Sequence, residues 1–202
     1  MSRDGHALFP MMPYGYFRNM CDEDARAIVA CLGTLRPSPR RSPGTRLAFP
    51  TSLLVTLAPR PLDGPVAAPD PSDGVAHGRY PVDLAGCMEC HTERDWRQRA
   101  RRGREFAGGW RMEGPWGVVV STNITPDAGT WLGRIDRAGF IARFRSFAPI
   151  ARDPPPAPRG RSTIMPWLAC SRMSERDLGA TCDYLRTVPP VKNEVDPFPE
   201  AE

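Results

Sequence analysis

The 202-residue chain lacks several features that define large classes of proteins. It contains no run of about 18 apolar residues, which excludes a conventional transmembrane helix. Its first six residues do not combine a basic segment with an apolar one, so no signal peptide is recognisable. Of its 27 basic residues, Lys192 alone is a lysine, and the net charge is +4. Such an arginine bias is typical of a GC-rich genome and gives little reason to expect nucleic-acid binding.

Proline and glycine, by contrast, are abundant. The chain has 24 prolines and 18 glycines, which excludes a continuous helical bundle and predicts loops between short elements. Hydrophobic residues make up 41% and charged residues 25%, so the composition is that of a folded protein with a packed core.

Two segments of the chain resemble each other at an offset of 153 residues. One runs from Met12-Pro13-Tyr14 to Pro37 and the other from Met165-Pro166-Trp167 to Pro190, and eight of their 26 aligned positions are identical. About two identities are expected by chance. Each copy is predicted to consist of a Met-Pro-aromatic segment, a turn, and a helix that begins at acidic residues and ends before a proline.

The helices of the two copies are predicted from their caps and apolar spacing. In the second copy, Ser174 and Asp177 form an approximate capping box. Its predicted buried stripe consists of Leu178, Thr181, Cys182 and Leu185. In the first copy, acidic residues 22–24 lie at the positive end of the helix dipole. Its predicted buried face consists of Ala25, Ile28, Val29, Leu32 and Leu35.

Between the copies, the pattern predicts short elements separated by proline-rich loops. They are an extended piece at 53–57, helices over 75–84 and 135–147, and a stiff connector at 154–158. Pro81 fits poorly inside a helix, so the helix over 75–84 either begins near His77 or kinks at the proline. His77 itself is expected at the surface, and His6 has no partner that would make it a ligand.

The segment Cys87-Met88-Glu89-Cys90-His91 has the spacing C-x-x-C-H, which is typical of c-type haem attachment. Two thiols three positions apart can reach the two vinyl groups on one edge of a porphyrin, and the adjacent imidazole then lies under the iron. In a chain of this composition the motif would arise by chance roughly 0.003 times. The sequence therefore predicts one haem c, with Cys87 and Cys90 as its thioethers and His91 as an axial ligand.

A C-x-x-C pair has two other common uses. A structural zinc site needs four ligands, but the other cysteines, Cys21, Cys31, Cys170 and Cys182, form no second close pair. A redox dithiol favours a βαβ setting, which the pattern does not show. We interpret Cys182 as a small apolar filler, and a disulfide among the four cysteines stays open in an oxidising compartment.

Met165 is the predicted second axial ligand. It lies 74 residues after His91, in a proline-stiffened loop before the last helix. Methionine is more often a core filler, and Met112 and Met173 are competing candidates. Met88 lies inside the attachment loop and cannot reach the opposite face of a haem. A thioether opposite an imidazole raises the reduction potential and leaves no open site, which favours electron transfer over catalysis.

Several segments together resemble a known family. They are Gly78-Arg79-Tyr80, Cys87-Met88-Glu89-Cys90-His91-Thr92, Phe106-Ala107-Gly108-Gly109, Thr122-Asn123-Ile124-Thr125-Pro126-Asp127, Met165-Pro166-Trp167 and Asp183-Tyr184-Leu185-Arg186. Across essentially the whole chain they resemble multihaem cytochromes c. The likeness is greatest to the cytochrome subunits of bacterial membrane-associated dehydrogenases that oxidise alcohols, sugar acids or similar substrates. Pro81 and Trp131 depart from the pattern of that family.

This resemblance implies an all-α, cytochrome c-like fold. Its first and last helices would cross at Gly78, Tyr80, Tyr184 and Leu185, and residues 123–127 would line the haem edge. The cytochrome c domain with one haem would span 73–202, after a Pro/Arg-rich linker at 38–72. Residues 1–37 would be the C-terminal remnant of a preceding cytochrome c domain.

The first copy of the repeat has no C-x-x-C-H before it. By the spacing of the second copy, that motif would lie before residue 1. We therefore expect the chain to be truncated at its N-terminus, with the signal peptide for a periplasmic location lost in the missing portion.

The resemblance implies one-electron transfer rather than catalysis, with electrons passing from a dehydrogenase to the respiratory chain. The partners would be redox proteins: a dehydrogenase, an oxidase or a quinone-linked complex, with peripheral membrane association left open. Trp116 and Trp167 would keep water off the iron. Two alternatives stay open: an open-site haem enzyme with peroxide or sulfur chemistry, and a structural zinc module or inert remnant without haem.

A run of arginines follows the haem motif closely. Its members are Arg94, Arg97, Arg99, Arg101, Arg102 and Arg104. The run could steer an acidic redox partner. The interspersed Glu93, Asp95 and Glu105 favour a solvated loop instead. No recognition motif accompanies the run, so nucleic acid is not an expected partner.

Overall fold

The computed structural model describes residues 14–40, 44, 46–57, 62–97, 99–114, 117–149 and 164–199. The chain divides into two compact units, Met1–Ala68 and Pro69–Glu202. The regular elements among the described residues are mostly helices, together with one two-stranded sheet. None of their helices is both long and apolar enough to cross a membrane. The predicted connector at 154–158 lies outside the described residues.

Three short helices form the described part of the first unit. They are α1 (Tyr14–Phe17), α2 (Asp22–Gly33) and α3 (Thr51–Leu54), and a 3₁₀ turn, Val55–Leu57, follows α3. The backbone N–H of Asp22 donates to Val66 O at 3.0 Å, and Val66 N–H donates to Asp22 Oδ1 at 3.2 Å. The extended piece predicted at 53–57 is wrong, because this segment is helical.

The predicted buried face of α2 is also wrong. Ile28, Val29, Leu32 and Leu35 are between 47% and 69% exposed. The helix itself begins as predicted, with three acidic residues in its first turn. Apolar periodicity identifies the face of a helix that can be buried, but it does not supply the surface that covers that face.

The second unit contains six helices and a β-hairpin in its described part. The helices are α4 (Gly74–Leu84), α5 (Cys87–Cys90), α6 (Trp131–Arg134), α7 (Arg137–Arg145), α8 (Trp167–Cys170) and α9 (Glu175–Leu185). The strands β1 (Arg111–Gly114) and β2 (Gly117–Val120) pair antiparallel, with Arg111 opposite Val120. The all-α expectation therefore holds in part. The hairpin is an addition to the predicted helices, and the three valines of β2 favour a strand.

Helix α4 extends through Pro81. Asp73 caps its N-terminus, where Asp73 Oδ1 accepts hydrogen bonds from the backbone N–H groups of Val75 and Ala76. The alternative in which the helix begins near His77 is therefore wrong. Val82, one residue after the proline, is 1% exposed, so packing offsets the hydrogen bond that the proline cannot donate.

Helix α9 agrees closely with its prediction. Ser174 Oγ accepts a hydrogen bond from Asp177 N–H at 3.0 Å. The predicted stripe of α9 is buried. The core cluster consists of Val82, Phe106, Leu132, Phe140, Phe144, Leu178, Cys182 and Leu185. Cys182 is 0% exposed within this cluster, in agreement with its interpretation as an apolar filler.

The helices α4 and α9 cross in direct contact at Gly78. A Cβ atom at this position would overlap the carbonyl of Ala180 and lie 2.9 Å from Tyr184 Cβ. The predicted contact between Gly78 and Tyr184 is therefore confirmed. Helix α7 also packs on α9 and contributes Phe140 and Phe144 to the core.

We expect Gly78→Ala to lower the free energy of unfolding by about 3 kcal/mol, since the added methyl group separates two packed helices. Urea unfolding monitored by circular dichroism measures this change. Gly74→Ala, also on α4, is the control because a Cβ there meets nothing within 4 Å. Equal stability of the two variants would contradict the close helix crossing.

His77 is partly buried rather than at the surface, which corrects its prediction. Its side chain is 17% exposed, and Nε2 lies 2.7 Å from Asp177 Oδ1. Burial raises the pKa of Asp177, but hydrogen bonds from Ser174 and His77 outweigh it and hold the pKa below its ordinary value. The pair therefore joins α4 to the first turn of α9.

We expect Asp177→Asn to lower the free energy of unfolding at pH 7 by about 1 kcal/mol. A carboxylate with a depressed pKa stabilises the fold above its unfolded pKa of about 4, and this stability is lost as the pH falls through the folded pKa. The difference between wild type and variant should thus close in acid, as chemical unfolding across pH would show. Glu175→Gln, in the same turn, should cost about 0.3 kcal/mol.

Candidate haem-binding site

The C-x-x-C-H segment forms a single helical turn directly after α4. Gly86 precedes the turn with a φ of 63°, a left-handed conformation that glycine adopts without strain. His91 N–H donates to Cys87 O at 2.9 Å and closes the turn. Cys87 and Cys90 are therefore three residues apart on one face of this turn, and both are free thiols.

Two further hydrogen bonds hold His91. Its Nδ1 lies 2.7 Å from Thr122 O, and its carbonyl accepts from Gly108 N–H at 2.8 Å. Because a carbonyl oxygen can only accept, Nδ1 carries the proton, and Nε2 of the neutral imidazole keeps a lone pair for a metal ion. Burial lowers the pKa of His91, which favours this neutral form.

The two cysteines of the motif are partly buried. Burial raises the pKa of Cys87 to about 12, with smaller contributions from Cys170 and Cys90. Burial also raises the pKa of Cys90. A reactive redox dithiol requires a lowered thiol pKa, so these environments do not favour that alternative.

The segment after the motif packs tightly against the loop at 121–125. Thr92 Oγ1 accepts a hydrogen bond from Phe106 N–H at 3.1 Å, and Ile124 N–H donates to Phe106 O at 2.9 Å. Asn123 is 8% exposed and Thr125 0% exposed. The stretch that the resemblance assigns to the haem edge is thus a partly buried, hydrogen-bonded loop.

Met165 is partly buried against the core cluster to which Cys87 is also packed. Pro166 caps α8 immediately after it, and Trp167 N–H donates to Met165 O at 2.8 Å. Met173 packs against the same cluster, so both methionines are near the core. Met88 is 38% exposed on the attachment turn itself.

Aromatic rings line this side of the core. Trp167 stacks on Phe147 with a centroid distance of 4.7 Å and lies 5.3 Å from Phe144. Phe144 continues to Phe140 at 4.9 Å, and Phe140 to Trp131 at 5.9 Å. Trp167 therefore packs within a row of aromatic rings, with Arg143 over its ring at 5.2 Å, whereas Trp116 lies outside the described residues.

Acidic neighbours pair with most of the arginine run. The ion pairs are Arg94–Glu89, Arg99–Asp95, Arg101–Glu93 and Arg104–Glu93. Arg94 also lies over the ring of Trp110 at 5.1 Å, and Arg97 over Trp96 at 4.3 Å. The exposed side chains of Arg99 and Arg101 agree with the interpretation of the run as a solvated loop, whereas the side chain of Arg94 is only 14% exposed.

The donor set fits a haem c. Two free thiols share one turn, and the adjacent imidazole has Nδ1 engaged and Nε2 available. Within the described ranges, no group of three or more His, Cys, Asp or Glu residues could hold a metal ion, so the zinc alternative finds no ligand set there. Haem c attachment makes use of all three of these side chains.

Sequence reasoning assigned no role to the individual backbone groups that hold His91. The hydrogen bond to the carbonyl of Thr122 cannot be predicted from residue type, because every residue has a backbone carbonyl. Gly108 was noticed as part of a family-like segment, and its φ of 71° shows why a glycine is required there. Asn123 belongs to a family-like segment of the sequence, whereas Asn193, which also holds the surrounding backbone, lies outside every motif that the sequence analysis identifies.

No family model matches the chain, but a search of known proteins finds several similar ones. The chain is 31% identical over 200 residues to the fructose dehydrogenase cytochrome subunit of Gluconobacter japonicus, covering 92% of this chain and 38% of that protein. It is 31% identical over 191 residues to a diheme cytochrome c-type protein of Cereibacter sphaeroides, covering 91% of this chain and 60% of that protein.

A third relative is the cytochrome c subunit of a quinone-dependent alcohol dehydrogenase from Gluconobacter oxydans. It is 26% identical over 201 residues, with coverage of 94% of this chain and 41% of that protein. The homologues are thus cytochrome c subunits of dehydrogenases and a diheme cytochrome c, which confirms the predicted resemblance. The chain spans 38% of the length of the fructose dehydrogenase subunit.

Proposed function

We propose that this chain carries one haem c and relays electrons from a dehydrogenase to the respiratory chain at the periplasmic face of a membrane. The observation that carries the proposal is the C-x-x-C-H turn in which the Thr122 carbonyl holds the His91 imidazole. Homology to cytochrome c subunits of dehydrogenases supports electron transfer by a covalently bound haem.

In this proposal, Cys87 and Cys90 hold the haem through thioethers, and His91 and Met165 are the axial ligands. When bound, the haem supplies an iron centre that gains and loses one electron. The hydrogen bond from His91 Nδ1 to Thr122 O fixes the ring orientation and makes Nε2 a stronger donor. Met165 would be the second ligand to the iron, and the rings packed around Trp167 would keep water away from it.

We further propose that residues 1–37 are the end of a second cytochrome c domain, separated by the linker at 38–72 from the domain at 73–202. The sequence repeat is matched by helices at the same offset. Helix α1 corresponds to α8, and α2 begins 153 residues before α9. Their N-caps, Cys21 and Ser174, also correspond. Homology to a diheme cytochrome supports this reading.

Production of the full chain in a host that attaches haem c tests the function. We expect a protein with a Soret band that survives acid–acetone extraction, and a mass increased by one haem. The iron should then be reduced and reoxidised reversibly by small mediators. A colourless protein of unchanged mass would overturn the proposal.

A further inference from the structure

Two separate backbone stretches fix the position of His91. Thr122, at the end of one stretch, accepts from His91 Nδ1 at 2.7 Å. Gly108, in the other, donates its N–H to His91 O at 2.8 Å. The imidazole orientation therefore depends on where these two stretches lie relative to each other.

The C-terminal segment at 191–193 holds both stretches. Asn193 Nδ2 donates to Ala107 O at 2.8 Å, one residue from Gly108. Asn123 Nδ2, one residue from Thr122, donates to Val191 O at 2.8 Å and to Asn193 O at 3.2 Å. The segment at 191–193 is thus hydrogen-bonded both to the residue before Gly108 and to the residue after Thr122.

The two stretches have little freedom to move independently. A Cβ at Gly108 would lie 2.5 Å from the carbonyl carbon of Thr122 and 2.7 Å from Asn123 N. Gly109 N–H donates to Ser121 O at 2.8 Å, so the contact continues along the chain. Ala107 is 0% exposed. A shift at Asn193 or at Asn123 is therefore transmitted to the carbonyl of Thr122, which accepts the hydrogen bond from His91 Nδ1.

We propose that Asn193 and Asn123 are positioning residues for the axial imidazole, and that the segment at 191–193 thereby sets the reduction potential of the site. The inference rests on the proposed function of His91 as an iron ligand. A carbonyl that accepts from Nδ1 makes the imidazole a stronger donor and stabilises the oxidised iron. Loss of the hydrogen bonds that Asn193 and Asn123 donate would weaken the hydrogen bond from His91 Nδ1 to Thr122 O, and the reduction potential would rise.

Redox titration of the haem-loaded full chain tests the inference with Asn193→Ala and Asn193→Leu. Both substitutions remove the Nδ2 donor, and leucine keeps most of the side-chain volume. We expect the ratio of reduced to oxidised protein at the same ambient potential to be about threefold higher in each variant than in wild type, a shift of about 28 mV. The exchange rate of the His91 Nδ1 proton, measured by NMR, should rise in parallel.

Ser174→Ala is the control, because it removes the N-cap of α9 without a change in charge. We expect it to reduce stability and leave the potential and the Nδ1 exchange rate unchanged. Unchanged values in both Asn193 variants, or an equal shift in Ser174→Ala, would overturn the positioning role. Failure of the proposed function would be distinct, because wild type itself would then carry no haem.

Discussion

Replacement of both Cys87 and Cys90 by serine is expected to abolish covalent haem attachment completely. A serine hydroxyl does not add to a vinyl group under conditions in which a cysteine thiol does, so no thioether can form. The measurement is the absorbance and mass of the protein after acid–acetone extraction. Wild type should keep its Soret band, and the double variant should lose it.

Cys170→Ser is the matched control for this experiment. Cys170 is partly buried, packs against the same core as Cys87 and contributes to the raised pKa of Cys87. It lies outside the motif, so its replacement should leave the haem attached. Haem that survives extraction from the double variant, or that is lost from Cys170→Ser alone, would contradict the assignment of the two thioethers.

Met165→Ala should produce the second large effect. Loss of a thioether ligand opens one axial position and removes its stabilisation of the reduced iron, so we expect the reduction potential to fall on the order of 100 mV. The reduced variant should also bind carbon monoxide, whereas wild type should resist it. Potentiometric titration and the absorption change on addition of carbon monoxide measure the two effects.

Met173→Ala separates the loss of a ligand from the loss of packing. Met173 contacts the same core cluster, and its truncation should cost about 3 kcal/mol of stability while the potential stays near that of wild type. If Met173→Ala lowered the potential and Met165→Ala did not, the ligand assignment would be wrong. Carbon monoxide binding by wild type would favour the open-site haem enzyme instead.

The parts of the fold predicted well from the sequence are those governed by local chemistry. The N-cap at Ser174 and the apolar spacing after it were sufficient to place α9 and its buried stripe. The C-x-x-C-H motif predicted the candidate site because its spacing itself reflects the geometry of attachment. Both α9 and the C-x-x-C-H motif depend on the spacing of residues close together in the chain, so both can be predicted from a single sequence.

The parts predicted poorly depend on partners distant in the sequence. The exposed side chains of α2 have helical periodicity, but periodicity does not show whether a neighbour covers them. The sequence gives no indication that His77 is partly buried, because its partner Asp177 is 100 residues away. The roles of Thr122 and Asn193 depend on tertiary hydrogen bonds that cannot be predicted from either residue type.

The chain of rings from Trp131 to Phe147 also has an optical consequence. Trp167 lies within this chain and two residues from Met165. In the haem-loaded protein proposed above, an indole at this position would transfer its excitation energy to the porphyrin and emit little light. Emission from Trp167 would return if this side of the protein moved away from the haem, so its fluorescence would report on that movement.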